Sequence, residues 1–388
     1  MRTSILSSSL GLAIASFLVL HSAACGQSAS SNAQTGDDAN IIGGVDATSA
    51  KLDAIGALLY KDQNGQLQEL CSAALIGPHT ILSAKHCAVQ FGQTDADAGP
   101  AQLTETRFLD SMQMFFAFGS DARAPKRTVQ LDSVTLCNEY VGGWIGMGCD
   151  FSVYHLSQEV TDVKPLAVAS STLDASSINK RFVAVGYGMQ NETQTALGTR
   201  KAGSVTLRAT QGSPLQALYP TFEAFSDAVT KDEGIALEQN SLTALQQIYA
   251  MQLKAGYEAF VGGAQGDAQV CFGDSGGPLV ANVNGELVIQ GVASGLGLGG
   301  VKLPCNMGAV YAVPGPAAQQ LIKDALTDPC DGIPALGRCE GDVAVRCTNP
   351  DEGPRRAVRT DCSGLLQHCV GGGDADAGDA GAVVSCAD

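Results

Sequence analysis

Positive charge is scarce in this sequence. Lys and Arg number 23 against 39 Asp and Glu, a formal charge of −16 over 388 residues. No basic surface is available to neutralise phosphates, so nucleic acid is excluded as a partner. Aromatic residues make up only 5%, with Trp144 the single tryptophan, and the chain is globular and rich in small residues. After residue 24 no segment reaches the roughly 18 apolar residues of a membrane-spanning helix. The cysteines of the C-terminal region contain no C-x-x-C pair, which argues against zinc. The Asp/Ala/Gly runs Asp95–Gly99 and Asp374–Gly381 lack the final glutamate of a calcium loop and read as surface loops. No metal and no cofactor is expected.

Cysteine, by contrast, is plentiful. Six residues (Cys71, Cys87, Cys137, Cys149, Cys271, Cys305) lie in the middle of the chain. Six more (Cys330, Cys339, Cys347, Cys362, Cys369, Cys386) crowd its end, and Cys25 stands alone. Even groups point to disulfides and an oxidising compartment. Residues 1–24 agree: Arg2, an apolar run over Leu10–Leu20, then Ser22-Ala23-Ala24 read as a secretory signal. The same residues are similar to a bacterial lipobox, in which Cys25 would be lipidated. Ser22 stands where leucine is usual, while the odd cysteine favours the anchor. Two destinations are open, a bacterial outer-membrane lipoprotein and an extracellular protein. Residues 25–40, poor in apolar side chains, form a flexible linker or propeptide.

From Ile41-Ile42-Gly43-Gly44 to about residue 315 the pattern is one of short strands and turns. Examples are Ala57–Tyr60, Thr80–Ser83, Met114–Phe118, Thr128–Leu136, Phe182–Gly186, Val205–Ala209 and Ala309–Val313. Leu279–Val283 and Glu286–Val292 flank Asn284-Gly285, a two-residue hairpin signal. The expected class is all-β, a sandwich or barrel, closed by a helix over Ala317–Leu326. Leu242, Leu245, Tyr249 and Leu253 share one face of a further helix.

Chemistry concentrates in Cys271-Phe272-Gly273-Asp274-Ser275-Gly276-Gly277-Pro278-Leu279. A hydroxyl is a weak nucleophile unless a base takes its proton. Glycines on either side let backbone N–H groups crowd the reaction centre. The base must come from five histidines. His21 leaves with the signal, His368 lies in the cysteine-rich end, and His79 follows the Gly77-Pro78 turn and reads as solvated. His86 sits in Ser83-Ala84-Lys85-His86-Cys87, with Cys71 across that turn. A Cys71–Cys87 bridge would staple the hairpin beside the ring. Asp150 heads the half-apolar strand Asp150-Phe151-Ser152-Val153, a setting for a partly buried carboxylate that could orient the imidazole.

The order His86, Asp150, Ser275, behind Ile41-Ile42-Gly43-Gly44, resembles the trypsin/chymotrypsin family of serine endopeptidases over residues 41–327. The resemblance implies two packed six-stranded antiparallel barrels with a C-terminal helix. It implies that Ser275 attacks a scissile carbonyl, His86 is its base, and Asp150 holds the histidine tautomer. The N–H groups of Gly273 and Ser275 would form the oxyanion hole. Ile41 would become a new N-terminus after zymogen cleavage and pair with Asp274. Asn40, where the family usually has Arg or Lys, departs from the pattern, and the activating protease is unknown. Cys271 and Cys305 resemble the family's bridge beside the specificity pocket, and a Cys137–Cys149 bridge would span the loop around Trp144.

By the same resemblance Gln269 lies at the base of the primary pocket, with Val270 and Ala309 beside it. Ala293-Ser294-Gly295 resembles the segment that pairs with substrate backbone, and Leu296 borders the pocket. A neutral Gln269 leaves a substrate Arg or Lys without a carboxylate partner, so a neutral side chain is the expected preference. Lys85 stands where alanine is usual. Residues Gln211–Gly266 are a long, partly helical addition. Residues 328–388 form a small disulfide-stapled module of undetermined connectivity. The expected partners are protein or peptide substrates, and the competing class is a catalytically inactive, protease-like secreted binding protein.

Overall fold

Segments of four to eleven residues that mix apolar with polar side chains, cut by turns, pair into two closed barrels of six antiparallel strands each. The computed structural model describes residues 41, 44–62, 64–88, 114–137, 148–189, 197–234, 238–297, 305–327, 333–334, 336–347, 357–363, 367–371 and 383–387. Cys25, Asn40, Trp144, Cys330 and both Asp/Ala/Gly runs lie outside these residues.

A short strand β1 (Val45–Asp46) precedes the first barrel. That barrel comprises β2 (Ile55–Lys61), β3 (Leu67–Gly77), β4 (Thr80–Ser83), β5 (Met114–Phe118), β6 (Arg127–Leu136) and β7 (Ser152–Leu156). They close in the order β2-β3-β4-β7-β6-β5. Ile55, Leu58, Leu75, Ile81, Phe116, Phe151 and Tyr154 fill the interior.

After β8 (Ala167–Val168), the second barrel uses β9 (Arg181–Gly186), β10 (Lys201–Ala209), β11 (Glu258–Val261), β12 (Pro278–Val283), β13 (Glu286–Leu296) and β14 (Ala309–Ala312). Pairing runs β9-β10-β11-β14-β13-β12 and returns to β9. The β12–β13 turn is the expected hairpin. Asn284 and Gly285 both have positive φ, 54° and 91°, as a tight two-residue turn demands.

Between β10 and β11 the chain makes a helical excursion, α1 (Phe222–Glu233) and α2 (Gln239–Ala250). Its ends meet at an antiparallel bridge between Gly212 and Leu253, so the barrel ladder resumes without interruption. The addition is therefore shorter than Gln211–Gly266, because β11 belongs to the barrel. Alternation along the strands explains how the hairpin docks. Ala259, Val261, Ala309 and Tyr311 point into the barrel. Phe260 and Val310 point outward and pack on Leu215, Phe225, Val229 and Tyr249. The last helix, α3 (Pro316–Leu326), returns to the first barrel and buries Ala318 and Ile322 in its core.

The C-terminal residues form a three-stranded sheet, β15 (Arg338–Glu340), β16 (Val343–Cys347) and β17 (Ala357–Asp361), and a pair, β18 (His368–Val370) with β19 (Ser385–Ala387). Disulfides Cys339–Cys369 and Cys362–Cys386 cross-link them, and Cys347 is also disulfide-bonded. Among the described residues there, Ala344, Val345, Cys362 and Val384 are the buried apolar groups, a core too small to stand without staples.

Candidate active site

The register of β4 on β7 brings His86 to Asp150. Ser83 pairs with Ser152, so the chain just after β4 meets the chain just before β7. His86 sits on a one-turn 3-10 helix, Lys85–Cys87. Its Nδ1 lies 2.8 Å from Asp150 Oδ2, and its backbone N–H donates to Asp150 Oδ1 at 3.0 Å. Ser294 Oγ donates to the same Oδ2 at 2.5 Å. Ser294 can reach across because β13 carries a bulge between Ala293 and Gly295, which turns this residue out of the ladder. Asp150 is 1% exposed. Burial alone would raise its pKa, but the His86 ring, the Ser294 hydroxyl and the His86 N–H outweigh it and hold the carboxyl below its ordinary range.

Two further features hold this corner. Disulfides join Cys71 to Cys87 and Cys137 to Cys149. The sulfurs of Cys71 and Cys87 and the His86 ring lie within 4.8 Å of one another. Bonded to each other, those sulfurs are not thiolates and act as a staple beside the imidazole. Lys85 is buried, and its Nζ donates to Cys137 O at 3.1 Å, tying the His86 turn to the Cys137–Cys149 segment that leads into Asp150. His79 is half-buried with its Nδ1 enclosed, not solvated.

The Ser275 loop is docked on the same corner from the second barrel. Ser72 N–H donates to Ser275 O at 2.7 Å, and Ser72 Oγ donates to Gly273 O at 3.0 Å. Tyr187 N–H in turn donates to Ser72 Oγ at 3.0 Å. Gly276, next to Ser275, has φ +74°, and a Cβ there would stand 1.9 Å from Ser83 Oγ and 2.9 Å from Ala84 N. Only glycine lets the loop approach the turn that carries His86 this closely.

The loop's peptide planes are fixed by their carbonyls. Met189 N–H donates to Phe272 O at 2.7 Å, and Gly277 N–H donates to Asp274 O at 2.8 Å. In a trans peptide the N–H points opposite to the C=O. These anchors therefore aim the N–H groups of Gly273 and Ser275 away from them. Gly273 adopts φ +91°, which a side chain would strain.

Asp274 is 2% exposed, and its carboxylate accepts N–H groups of Gly188 (2.8 Å) and Cys271 (2.9 Å). Burial outweighs those two donors and pushes its pKa up to about 7. Ile41 is also 2% exposed and packs in the second-barrel core with Ala184 and Ala268.

Of the pocket residues anticipated from sequence, Val270, Ala293 and Ala309 are buried in that same apolar cluster. Gln269, Gly295 and Leu296 are half-buried, and Cys271 is bonded to Cys305 beside them. Sequence reasoning missed Ser72 and Glu69, and it did not foresee the Ser294–Asp150 hydrogen bond. Glu69 lies on β3 against Gly273 with both carboxyl oxygens enclosed.

The trypsin family model matches residues 41–216 and 230–317, skipping most of α1. Testisin from Homo sapiens is 24% identical over 268 residues, covering 68% of this chain and 72% of testisin.

Proposed function

The chain belongs to the trypsin family, and from that premise we propose that it is a serine endopeptidase acting through His86, Asp150 and Ser275. Ser275 Oγ attacks the scissile carbonyl, and His86 takes its proton and passes it to the leaving amine. Asp150 fixes the tautomer and stabilises the imidazolium. Gly273 and Ser275 N–H groups receive the oxyanion, and water then hydrolyses the acyl-enzyme. The observation that carries this reading is the enclosed Asp150–His86 pair, with the carboxylate oxygen that meets the ring also engaged by Ser294 from the other barrel.

The enzyme is made as a precursor. Cleavage after Asn40 frees the Ile41 amine to pair with Asp274, a buried carboxylate that accepts two backbone N–H groups. A neutral P1 side chain is preferred. Its support is the neutral side chain of Gln269, half-buried next to Val270. Residues 1–24 direct export, with Cys25 lipidated or the protein released. Residues 25–40 are a linker or propeptide, residues 41–327 are the protease, and residues 328–388 are an appended disulfide-rich module. Among the described residues no helix is long and apolar enough to cross a membrane.

A fluorophosphonate probe tests the reaction class directly. Material cleaved after Asn40 is expected to label and to cut a peptide library after neutral residues, while Ser275→Ala does neither. Absence of Ser275-dependent labelling in cleaved material would favour an inactive binding protein, and dominant cutting after Arg would overturn the pocket assignment.

A further inference from the structure

Strand β3 passes beneath the Ser275 loop, and it touches the loop with more than Ser72. A bulge at Leu70 shifts the pairing register, with Leu59 opposite Glu69 and Leu58 opposite Cys71. The extra residue changes the alternation, so Glu69 and Ser72, an odd number apart, both face the loop. Glu69 Oε1 lies 3.4 Å from where a Cβ on Gly273 would stand, and Oε2 packs as closely on Gly198. Both oxygens are enclosed, and among the described residues neither has a hydrogen-bond partner.

We propose that Glu69 is a positioning residue for the oxyanion loop, a carboxylic acid whose neutral form supports Gly273 and whose ionisation works against the loop. The inference rests on the protease reading above. A neutral carboxyl can be enclosed at modest cost, but an ionised one without a partner cannot. The groups that face it give little relief. Asp274, in the loop itself, repels a second negative charge, and so does Asp121. Arg123 attracts it, but is more than half exposed and already engaged by Asp121. The Tyr187 phenol donates to Ile55 O. Burial first, and Asp274 second, push the Glu69 pKa up to about 9.

Two arms test the proposal on full-length protein cleaved after Asn40. In the first, Glu69→Ala lowers kcat at pH 7 by about tenfold with KM little changed, and Glu69→Gln restores most of it. In the wild type kcat also falls as pH rises through about 9; Glu69→Gln, which cannot ionise, loses the Glu69 share of that fall and keeps only the share due to deprotonation of the Ile41 amine. An alkaline limb identical in wild type and Glu69→Gln would overturn the proposal, as would equal losses in Ala and Gln. In the second arm, melting is followed in a Ser275→Ala background, which needs no activity. The folded state holds the Glu69 proton from the ordinary value of 4.5 up to about 9, so stability declines as pH rises across that window. Glu69→Gln flattens this decline. An unchanged slope refutes the role of Glu69, whereas a flattened slope without any Ser275-dependent turnover refutes the protease reading instead.

Discussion

Asp150 and Asp274 stand at the two halves of one site, 1% and 2% exposed, yet their environments treat a negative charge in opposite ways. Asp150 has an imidazole, a hydroxyl and an N–H on its two oxygens, and its pKa is lowered in spite of burial. Asp274 has two backbone N–H groups, and its pKa is raised. Burial is common to both, so it does not decide the charge; the presence of a partner able to carry positive charge does. Around Asp150 the site is complete within the folded chain. Around Asp274 only backbone dipoles, the N–H groups of Gly188 and Cys271, answer the charge among the described residues.

The sharpest way to break this comparison is to neutralise the well-partnered acid. Asp150→Asn preserves shape but lets His86 settle in the wrong tautomer, and kcat is expected to fall by about 10⁴-fold. The fluorophosphonate rate and peptide turnover measure it, and a fall below about tenfold would remove Asp150 from the assigned role. Melting in the Asn variant should still be cooperative, because Cys71–Cys87, Cys137–Cys149 and the Lys85–Cys137 bond hold the corner without it.

A smaller effect is expected from the loop side. Gly273→Ala forces a side chain onto φ +91° and sets its Cβ 2.8 Å from Gly188 Cα. The peptide plane must turn, and one oxyanion donor is lost. Removing one such donor costs about 10²–10³ in kcat. KM should move little, since the oxyanion forms only in the transition state. An unchanged kcat would place the oxyanion donors elsewhere.

The two acids also differ in how far sequence alone discloses them. Asp150 alone reads as an ordinary strand-start acid beside Cys149, and it becomes legible only through its order with His86 and Ser275, which carries the family resemblance. The Ser275 loop is legible because glycine and aspartate cluster around one serine. Most strands and the Asn284-Gly285 turn are legible from turn chemistry. Glu69 is not, since Leu67-Gln68-Glu69-Leu70 reads as an ordinary half-exposed strand, and only the bulge at Leu70 turns its carboxyl inward. Ser72 is equally silent, one small polar residue among alanines. The boundary of the helical excursion is obscured because β11 is buried on both faces, so Glu258–Val261 lacks alternation. Helix α1 does leave a signal: Thr221 caps its first turn and Gly234, at φ 69°, ends it.

The smallest effect is the most direct on the comparison itself, because it asks whether cleavage gives Asp274 what Asp150 already has. In the uncleaved chain Asp274 ionises near pH 7, against 3.8 for a free carboxyl. Between those values the folded state binds the extra proton. Stability is thus greatest below about pH 4 and declines as pH rises through about 7. Each unit of pKa is worth about 1.4 kcal/mol. Allowing for local relaxation, the decline should be about 2 kcal/mol, a few degrees in Tm. Once Ile41 is freed, its ammonium neutralises the carboxylate, lowers its pKa, and removes or reverses that slope. The measurement is Tm against pH from 4 to 7 for a Ser275→Ala protein, before and after cleavage at Asn40, with Asp274→Asn to isolate the group from Glu69. Identical slopes in both forms would mean that Ile41 does not reach Asp274. A decline steeper before cleavage than after it, but the same in both states of Asp274→Asn, where only the Glu69 contribution remains, would make the second aspartate the acceptor of the new N-terminus.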